Sequence, residues 1–479
     1  MLPEQLDLIA GTRRAPAVQL DGSLENPNTG EAIAGRRSSS PEAAEEALAA
    51  ADRAFRDGRW SGDAALRADA LDRLADALAA RADELGPIEA IDSGVPIAVT
   101  SLVAANVPNQ LRDAAAQLRA HGSVETSEVD GRRMEIHHVA WGPALAIVPW
   151  NAPLSIGVKK TANALAAGAT VILKPSEHAP SAANVLADAV QEASLPEGVF
   201  QLVHGDGRIG AQLASDRRIR AIAMTGGIPS GAAIAAAAAP HMTRLQLELG
   251  GSNPAIVRAD ADVAATGEAL ARGIVKLSGQ WCEGPRRILV HESIHDDLVA
   301  ATRDALGRVR FGSSLDAATE CGPIAHSAHL ATLRSQIAGL VTRGGEAIEA
   351  GDLPEEGFRL RPTLVLGIAP EDALEEIFGP VVTFHAVADD NEALAAANLG
   401  EDGLAGYVFS ADEEAALRLG RRLRGGEIKL NGTALLDMCP GSVQSFFGRS
   451  GIGGHGAPSL FDFFRGVRIV GFDDPSLPF

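Results

Sequence analysis

Three side chains combine a residue type and a local setting that could support chemistry. Cys282 follows Gly279-Gln280-Trp281, Glu248 stands between Leu247 and Leu249 ahead of Gly250-Gly251, and Asn151 follows Pro149-Trp150. A thiolate is a nucleophile that forms covalent adducts with electrophilic carbon. A carboxylate held among apolar neighbours has its pKa raised and can then deprotonate water near neutral pH. An Asn amide can donate to an oxygen that is gaining negative charge. Each residue also has an ordinary use. Free Cys fills cores, an isolated Glu is a solvated charge, and Asn occupies turns and caps. Residue type alone leaves both readings open.

Two glycine-rich turns could hold a phosphate. Gly205-Asp206-Gly207-Arg208-Ile209-Gly210 has the spacing of a dinucleotide fingerprint, follows a strand pattern and opens a helix pattern. The acid expected about 20 residues later is missing, since that stretch reads Thr225-Gly226-Gly227, so a plain strand-to-helix turn is an equal reading. Gly226, Gly227 and Gly231 bracket the first turn of the next helix, where free backbone N–H groups could receive a pyrophosphate.

These residues need rigid elements behind them. Residues 41–58 and the run from Ala64 to Leu85 place apolar residues at three- and four-residue spacing, which predicts two helices, the first with Pro41 at its opening position after a run of serines. Residues 124–139 alternate around Asp130-Gly131, a hairpin signal. From Trp141 onward short apolar strands alternate with helices, and a second such region runs from about Pro254 to Gly432. That alternation predicts two α/β domains with parallel sheets covered on both faces, and a hairpin belonging to neither.

A chain of 479 residues exceeds one hydrophobic core, and 46% hydrophobic with 22% charged residues is ordinary globular composition. The net charge of −20 argues against nucleic acid or an anionic membrane as partner. No stretch reaches the roughly 18 uninterrupted apolar residues of a membrane span, and the first residues lack a signal-peptide pattern. Cys282, Cys321 and Cys439 form neither a disulfide framework nor a metal site, so no metal is expected and a cytoplasmic location is the default.

Seven segments in one order then carry a resemblance. Asn26-Pro27-Asn28-Thr29-Gly30-Glu31 is followed by Pro149-Trp150-Asn151, Lys174-Pro175-Ser176-Glu177 and Thr225-Gly226-Gly227 with Gly231. Leu247 to Gly251, Gly279 to Cys282 and Glu375 to Pro380 complete the set. Over almost its whole length the chain resembles the aldehyde dehydrogenase superfamily, of the NAD(P)-dependent hydrolytic type. The resemblance implies oxidation of an aldehyde to a carboxylic acid through a thiohemiacetal and a thioester on Cys282. Glu248 would be the general base for hydrolysis, Asn151 and the Cys282 N–H the oxyanion donors, and Lys160 a further catalytic candidate. Cofactor contacts would fall to Val148, Pro149, Trp150, Lys174, Glu177, Gly207, Thr225, Gly226, Gly227, Ser230, Leu249, Glu376 and Phe378. Glu177 should accept from a ribose 2′-hydroxyl and repel a 2′-phosphate, so NAD is expected, with NADP as the alternative.

The implied fold is a Rossmann-type nucleotide-binding domain over residues 1–122 and 141–250 and a catalytic domain over 251–448. A β-hairpin oligomerisation arm would combine 123–140 with the tail 455–479, making a homodimer or homotetramer. Four departures from the family pattern stand out. Gly227 replaces a Ser, Ser252 a Lys, and Glu283 a small residue directly after the nucleophile; Gly454-His455 replace Arg-Glu, leaving the base role to Glu248 alone. Glu283 is expected to face solvent; turned inward it would oppose the thiolate or favour a cationic substrate. Two other functions remain open: a CoA-acylating semialdehyde dehydrogenase, against which Glu248 argues, and a non-catalytic structural or binding scaffold.

Overall fold

The computed structural model describes residues 2–122, 124–129, 132–434 and 442–473. Its first sheet runs in the order Thr12–Arg14, Asp7–Ile9, Phe200–Leu202, Val171–Lys174, Ala144–Ile147, Ala221–Thr225, Arg244–Glu248, Gly451–Ile452. The strands from Phe200–Leu202 to Arg244–Glu248 are parallel, and the additions at both ends are antiparallel. Successive residues point to opposite faces. Ala144, Ala146, Val171 and Leu173 join one buried cluster, while Leu145, Ile147 and Ile172 join another. Helices cover both, which is why these strands read as continuous apolar runs.

The second sheet runs Glu346–Glu349, Thr363–Leu366, Val381–Val387, Arg287–His291, Pro254–Val257, Ala405–Phe409, Glu427–Leu430. Only its first pair is antiparallel. The alternating regions predicted from sequence thus form the two parallel-sheet layers expected of them.

Strand order places the chemistry. Ala144–Ile147 lies between Val171–Lys174 and Ala221–Thr225, so the chain leaves its two sides in opposite directions. Crevices outside the carboxyl ends of parallel strands at such a reversal are where ligands bind. Asn151 and Thr225 follow or end these strands, and Thr225 is in register with Glu248.

The helix Pro41–Asp57 starts as predicted, with Ser40 Oγ accepting from Ala43 N at 3.2 Å and Pro41 at the first position. The run from Ala64 to Leu85 is not one helix. It breaks after Ala79 and restarts as Ala82–Ser93, with Arg81 N bonding Leu78 O in a tightened turn. Asp83 and Glu84 explain the restart, because acids suit the positive end of a new helix better than a helix interior.

Val124–Val129 and Arg132–Ala140 pair as an antiparallel hairpin, and their Asp130-Gly131 connection lies outside the described residues. The strand Arg465–Gly471 of the tail pairs with Arg132–Ala140 in the same chain, making a three-stranded sheet. Among the described residues no helix is long and apolar enough to cross a membrane.

Candidate active site

The segment before Cys282 is held in a conformation few residues adopt. After the helix Val263–Val275, Leu277 and Ser278 have φ of 50° and 59°, and Gly279 has φ of 77°. A Cβ on Gly279 would lie 2.2 Å from Pro380 N, so only glycine fits. Such backbone costs about 1–3 kcal/mol per residue and persists where surroundings over-determine it. Here they do. Gln280 Nε2 donates to Ser93 O at 3.0 Å and Gln280 Oε1 accepts from Ala325 N at 2.8 Å. Arg286 donates to Gly279 O and Trp281 O, each at 2.9 Å, and to Gly379 O at 2.6 Å. Asn253 Nδ2 donates to Cys282 O at 2.8 Å and Gly284 O at 2.9 Å.

Cys282 itself is partly exposed, and its Sγ lies 3.2 Å from Glu248 Oε1. The other oxygen, Glu248 Oε2, accepts from Thr225 Oγ1 at 2.8 Å. Burial pushes the Glu248 carboxyl above its usual range, while Lys160 and the Thr225 hydroxyl pull it back. Burial also drives the Cys282 thiol well up, and Glu248 and Glu283 add to that rise. Thiol and carboxyl therefore face each other along one hydrogen bond, each raised above its usual range by burial. Lys160 is buried and donates to Gln246 Oε1 at 2.8 Å; burial lowers it to about 7. Asn151 Nδ2 donates to Gln280 O at 2.9 Å, two residues before the thiol. An amide nitrogen carries two N–H groups, so one remains for an oxygen at the thiol.

Residues expected to hold the cofactor come from elements of both sheets, and the Trp150 ring meets Phe378 between them. Val148 N bonds Lys174 O at 3.2 Å, continuing the strand pairing up to Pro149 and Trp150. The Trp150 ring meets Phe378 edge-on at 5.4 Å, His326 edge-on at 5.2 Å and His329 at 4.8 Å. Lys174 is buried, with Nζ donating to Pro175 O at 2.7 Å and to Gly205 O; Glu177 follows it, partly exposed.

The two glycine turns differ. Gly207 opens the helix Gly207–Ala214, whose first turn is capped by Asp206 accepting from Arg208 N at 2.9 Å. Gly227 precedes the helix Ile228–Ala238 with no side-chain cap, and Ser230 is exposed on its first turn. A Cβ on Gly227 would meet only Pro229 Cδ at 3.8 Å, leaving an open cradle of backbone N–H groups. Across the crevice, Glu376 Oε1 is buried without a hydrogen-bond partner, and burial pushes this carboxyl up to about 7. An uncapped helix start and an orphaned acceptor are what a pyrophosphate and a ribose hydroxyl require, so the residues present fit a dinucleotide. Leu249 is buried after Glu248, its N bonded to Ser450 O at 2.9 Å.

Two sequence expectations need correction or refinement. Glu283 does not face solvent: it is 3% exposed and paired with Lys429 at 2.8 Å. A buried carboxylate is tolerable only with such a partner. Thr225, expected to touch cofactor, spends its hydroxyl on Glu248. Ser252 is also buried, its Oγ donating to Ala373 O at 2.9 Å. Cys439 and part of the loop beginning at Thr433 lie outside the described residues. Among the described residues no group of three His, Cys, Asp or Glu could hold a metal ion.

Sequence reasoning missed Arg286, Asn253, His326 and His329. Gln280 was visible beside Cys282, but its bonds to Ser93 and Ala325 lie 187 and 45 positions away, beyond any local pattern.

A model of the aldehyde dehydrogenase family matches residues 19–470. A betaine aldehyde dehydrogenase from Brucella anthropi is 33% identical over 93% of this chain and 92% of its own length. A geranial dehydrogenase from Castellaniella defragrans is 34% identical over 88% of this chain and 90% of its own. The solved betaine aldehyde dehydrogenase of Staphylococcus aureus, in complex with NAD+, superposes with a TM-score of 0.93 at 28% identity, covering 100% of this chain and 96% of that one.

Proposed function

The chain belongs to the aldehyde dehydrogenase family, and from that premise we propose that Cys282 is its nucleophile and Glu248 the base that completes turnover. It is an NAD-dependent aldehyde dehydrogenase. The observation that carries the residue assignment is the 3.2 Å contact between Cys282 Sγ and Glu248 Oε1, with Asn151 bonded two residues from the thiol.

The reaction follows from that contact. Glu248 accepts the thiol proton, and the thiolate bonds to the aldehyde carbon while the carbonyl π pair moves to oxygen. Asn151 Nδ2–H and the Cys282 N–H hold this oxyanion, donors fixed in advance by the bonds around Gln280 and Asn253. As the carbonyl re-forms, the carbon loses hydride and becomes a Cys282 thioester; the bound nicotinamide supplies the hydride acceptor. Glu248 passes the thiol proton to solvent and then takes one from water, the hydroxide adds to the thioester carbon, and the C–S bond breaks to release the acid and a thiolate that recovers its proton from Glu248. The balance is aldehyde, NAD+ and water to carboxylic acid, NADH and a proton. The raised Glu248 carboxyl supports its role as base.

Cofactor contacts are assigned to Val148, Pro149, Trp150, Lys174, Glu177, Gly207, Thr225, Gly226, Gly227, Ser230, Leu249, Glu376 and Phe378. The uncapped turn at Gly227 and the unpartnered Glu376 Oε1 are the strongest support. Glu177 favours NAD over NADP by repelling a 2′-phosphate. Residues 1–122 with 141–250 form the nucleotide-binding domain, 251–448 the catalytic domain, and 123–140 with 455–479 an oligomerisation arm. Val467 and Ile469 are 63% and 65% exposed on an edge strand of that arm, which suits a dimer or tetramer. A free catalytic thiol suits a reducing compartment, the cytoplasm.

The test is NADH formation across aliphatic, aromatic, terpenoid, amino- and semialdehydes, with NAD and with NADP, without CoA. Turnover with NAD supports hydrolysis and ranks substrates. Product that forms only with CoA would replace water by a thiol acceptor.

A further inference from the structure

The residue after the nucleophile is a buried carboxylate that the reaction above does not use. Glu283 Oε2 lies 2.8 Å from Lys429 Nζ, and the same ammonium lies 3.1 Å from Glu427 Oε1; all three residues are buried. Lys429 is also 5.4 Å from the Trp281 ring centroid and 5.4 Å from the Tyr407 ring. The Tyr407 hydroxyl donates to Glu283 O. Both neighbours of Cys282 therefore meet one side chain from the strand Glu427–Leu430.

A carboxylate buried beside a thiol acts through low dielectric and opposes formation of a second negative charge. After burial, the carboxylates of Glu248, Glu283 and Glu376 are what push the Cys282 thiol up. Lys429 is the cation bonded to one of them. We propose that Lys429 is a positioning residue for the nucleophile: through Glu283 and the Trp281 ring it fixes both neighbours of Cys282 and offsets the one adjacent carboxylate that hydrolysis does not need.

This inference rests on the reading of Cys282 as nucleophile. The groups that face the thiol are Glu248 from Arg244–Glu248, Glu376 from the loop before Val381–Val387, Arg286 ahead of Arg287–His291, and Tyr407 from Ala405–Phe409. Lys160 stands behind Glu248, while Lys429, Glu427 and Lys276 stand around Glu283 and Trp281.

The experiment measures the rate of Cys282 alkylation by iodoacetamide against pH, on the full chain with NAD bound, with the labelled cysteine identified by peptide mass. Glu283→Gln removes one charge but leaves Lys429 paired with Glu427, so the buried cation keeps a partner. Its alkylation midpoint should move down by about one pH unit. Lys429→Met removes the cation from both Glu283 and Glu427, and the thiol midpoint should move up, with the rate at pH 7 falling about tenfold. The double variant should return to within about threefold of the unaltered protein, a rescue that a purely structural role does not give. If Lys429→Met fails to fold, Glu283→Gln alone decides. An unmoved midpoint in Glu283→Gln with Cys282 labelled, or no rescue in the double variant, overturns the clamp alone. Label on Cys321 or Cys439 in place of Cys282 overturns the nucleophile assignment and the clamp with it.

Discussion

Cys282 and Cys321 are both enclosed thiols, and burial raises both, Cys321 to about 12 and Cys282 well above its usual value. What separates them is the company each keeps. Cys321 is 1% exposed in the apolar cluster of the second sheet, and its sulfur donates to Gly322 O at 3.8 Å. Cys282 is more open and bonds a carboxylate that can take its proton. A high resting pKa thus marks an inert thiol in one place and a latent nucleophile in the other. The acceptor at 3.2 Å decides which.

The largest expected effect breaks the comparison at its centre. Cys282→Ala should lower kcat by more than about 10⁴-fold in NADH formation while NAD binding persists. An active Cys282→Ala protein would sink the covalent mechanism. Next, Glu248→Gln should lose about 10²–10⁴-fold in steady-state turnover, with a stopped-flow burst of NADH that still approaches one per site but is slowed, because Glu248 also takes the thiol proton. A burst of unaltered rate would confine Glu248 to the hydrolysis step. Because burial raises the Glu248 carboxyl, turnover limited by hydrolysis should climb as pH rises through its elevated value and fall as acid protonates it. That acid limb should lie above the ordinary carboxylate range in a kcat profile and vanish in Glu248→Gln.

Asn151→Ala removes one oxyanion donor and should cost about 10²–10³-fold in kcat, with the burst slowed too, since the donor acts before hydride leaves. The smallest effect belongs to the other thiol. Cys321→Ala should destabilise the chain by about 1 kcal/mol in denaturant unfolding and leave kcat unchanged. A large loss of activity there would mean the two thiols are less distinct than their surroundings suggest.

Much of this site was legible because its residues sit in short contiguous runs. Glu248 closes a strand, Cys282 follows a strained turn and Asn151 lies just past a strand end, and such junctions need particular neighbours in sequence. The parallel sheets were equally readable, since apolar strands buried on both faces leave unbroken runs. Glu283 was misread because its partner lies 146 positions away on another strand, and a lone Glu carries no sign of burial. The break after Ala79 was missed because Leu78 and Leu85 keep helical spacing across it and are both buried. The fingerprint at Gly205 to Gly210 shows the converse. Its spacing is right, but Asp206 already occupies the helix end that the uncapped turn at Gly227 leaves open.

The strand that ends in Glu248 is not finished by its own neighbourhood. Gly451–Ile452 pairs with Leu247 and Glu248, and Ser450 Oγ donates to Gly250 O from 200 positions further along the chain. During synthesis, at about 5–20 residues per second, a gap of that length lasts tens of seconds or about ten. Throughout that interval the nascent chain has its nucleotide-side strands but an unclosed edge beside the base. The ribosome therefore delivers the Glu248 strand well before the segment that closes its edge, and the backbone pairing at Glu248 forms only once that segment has emerged.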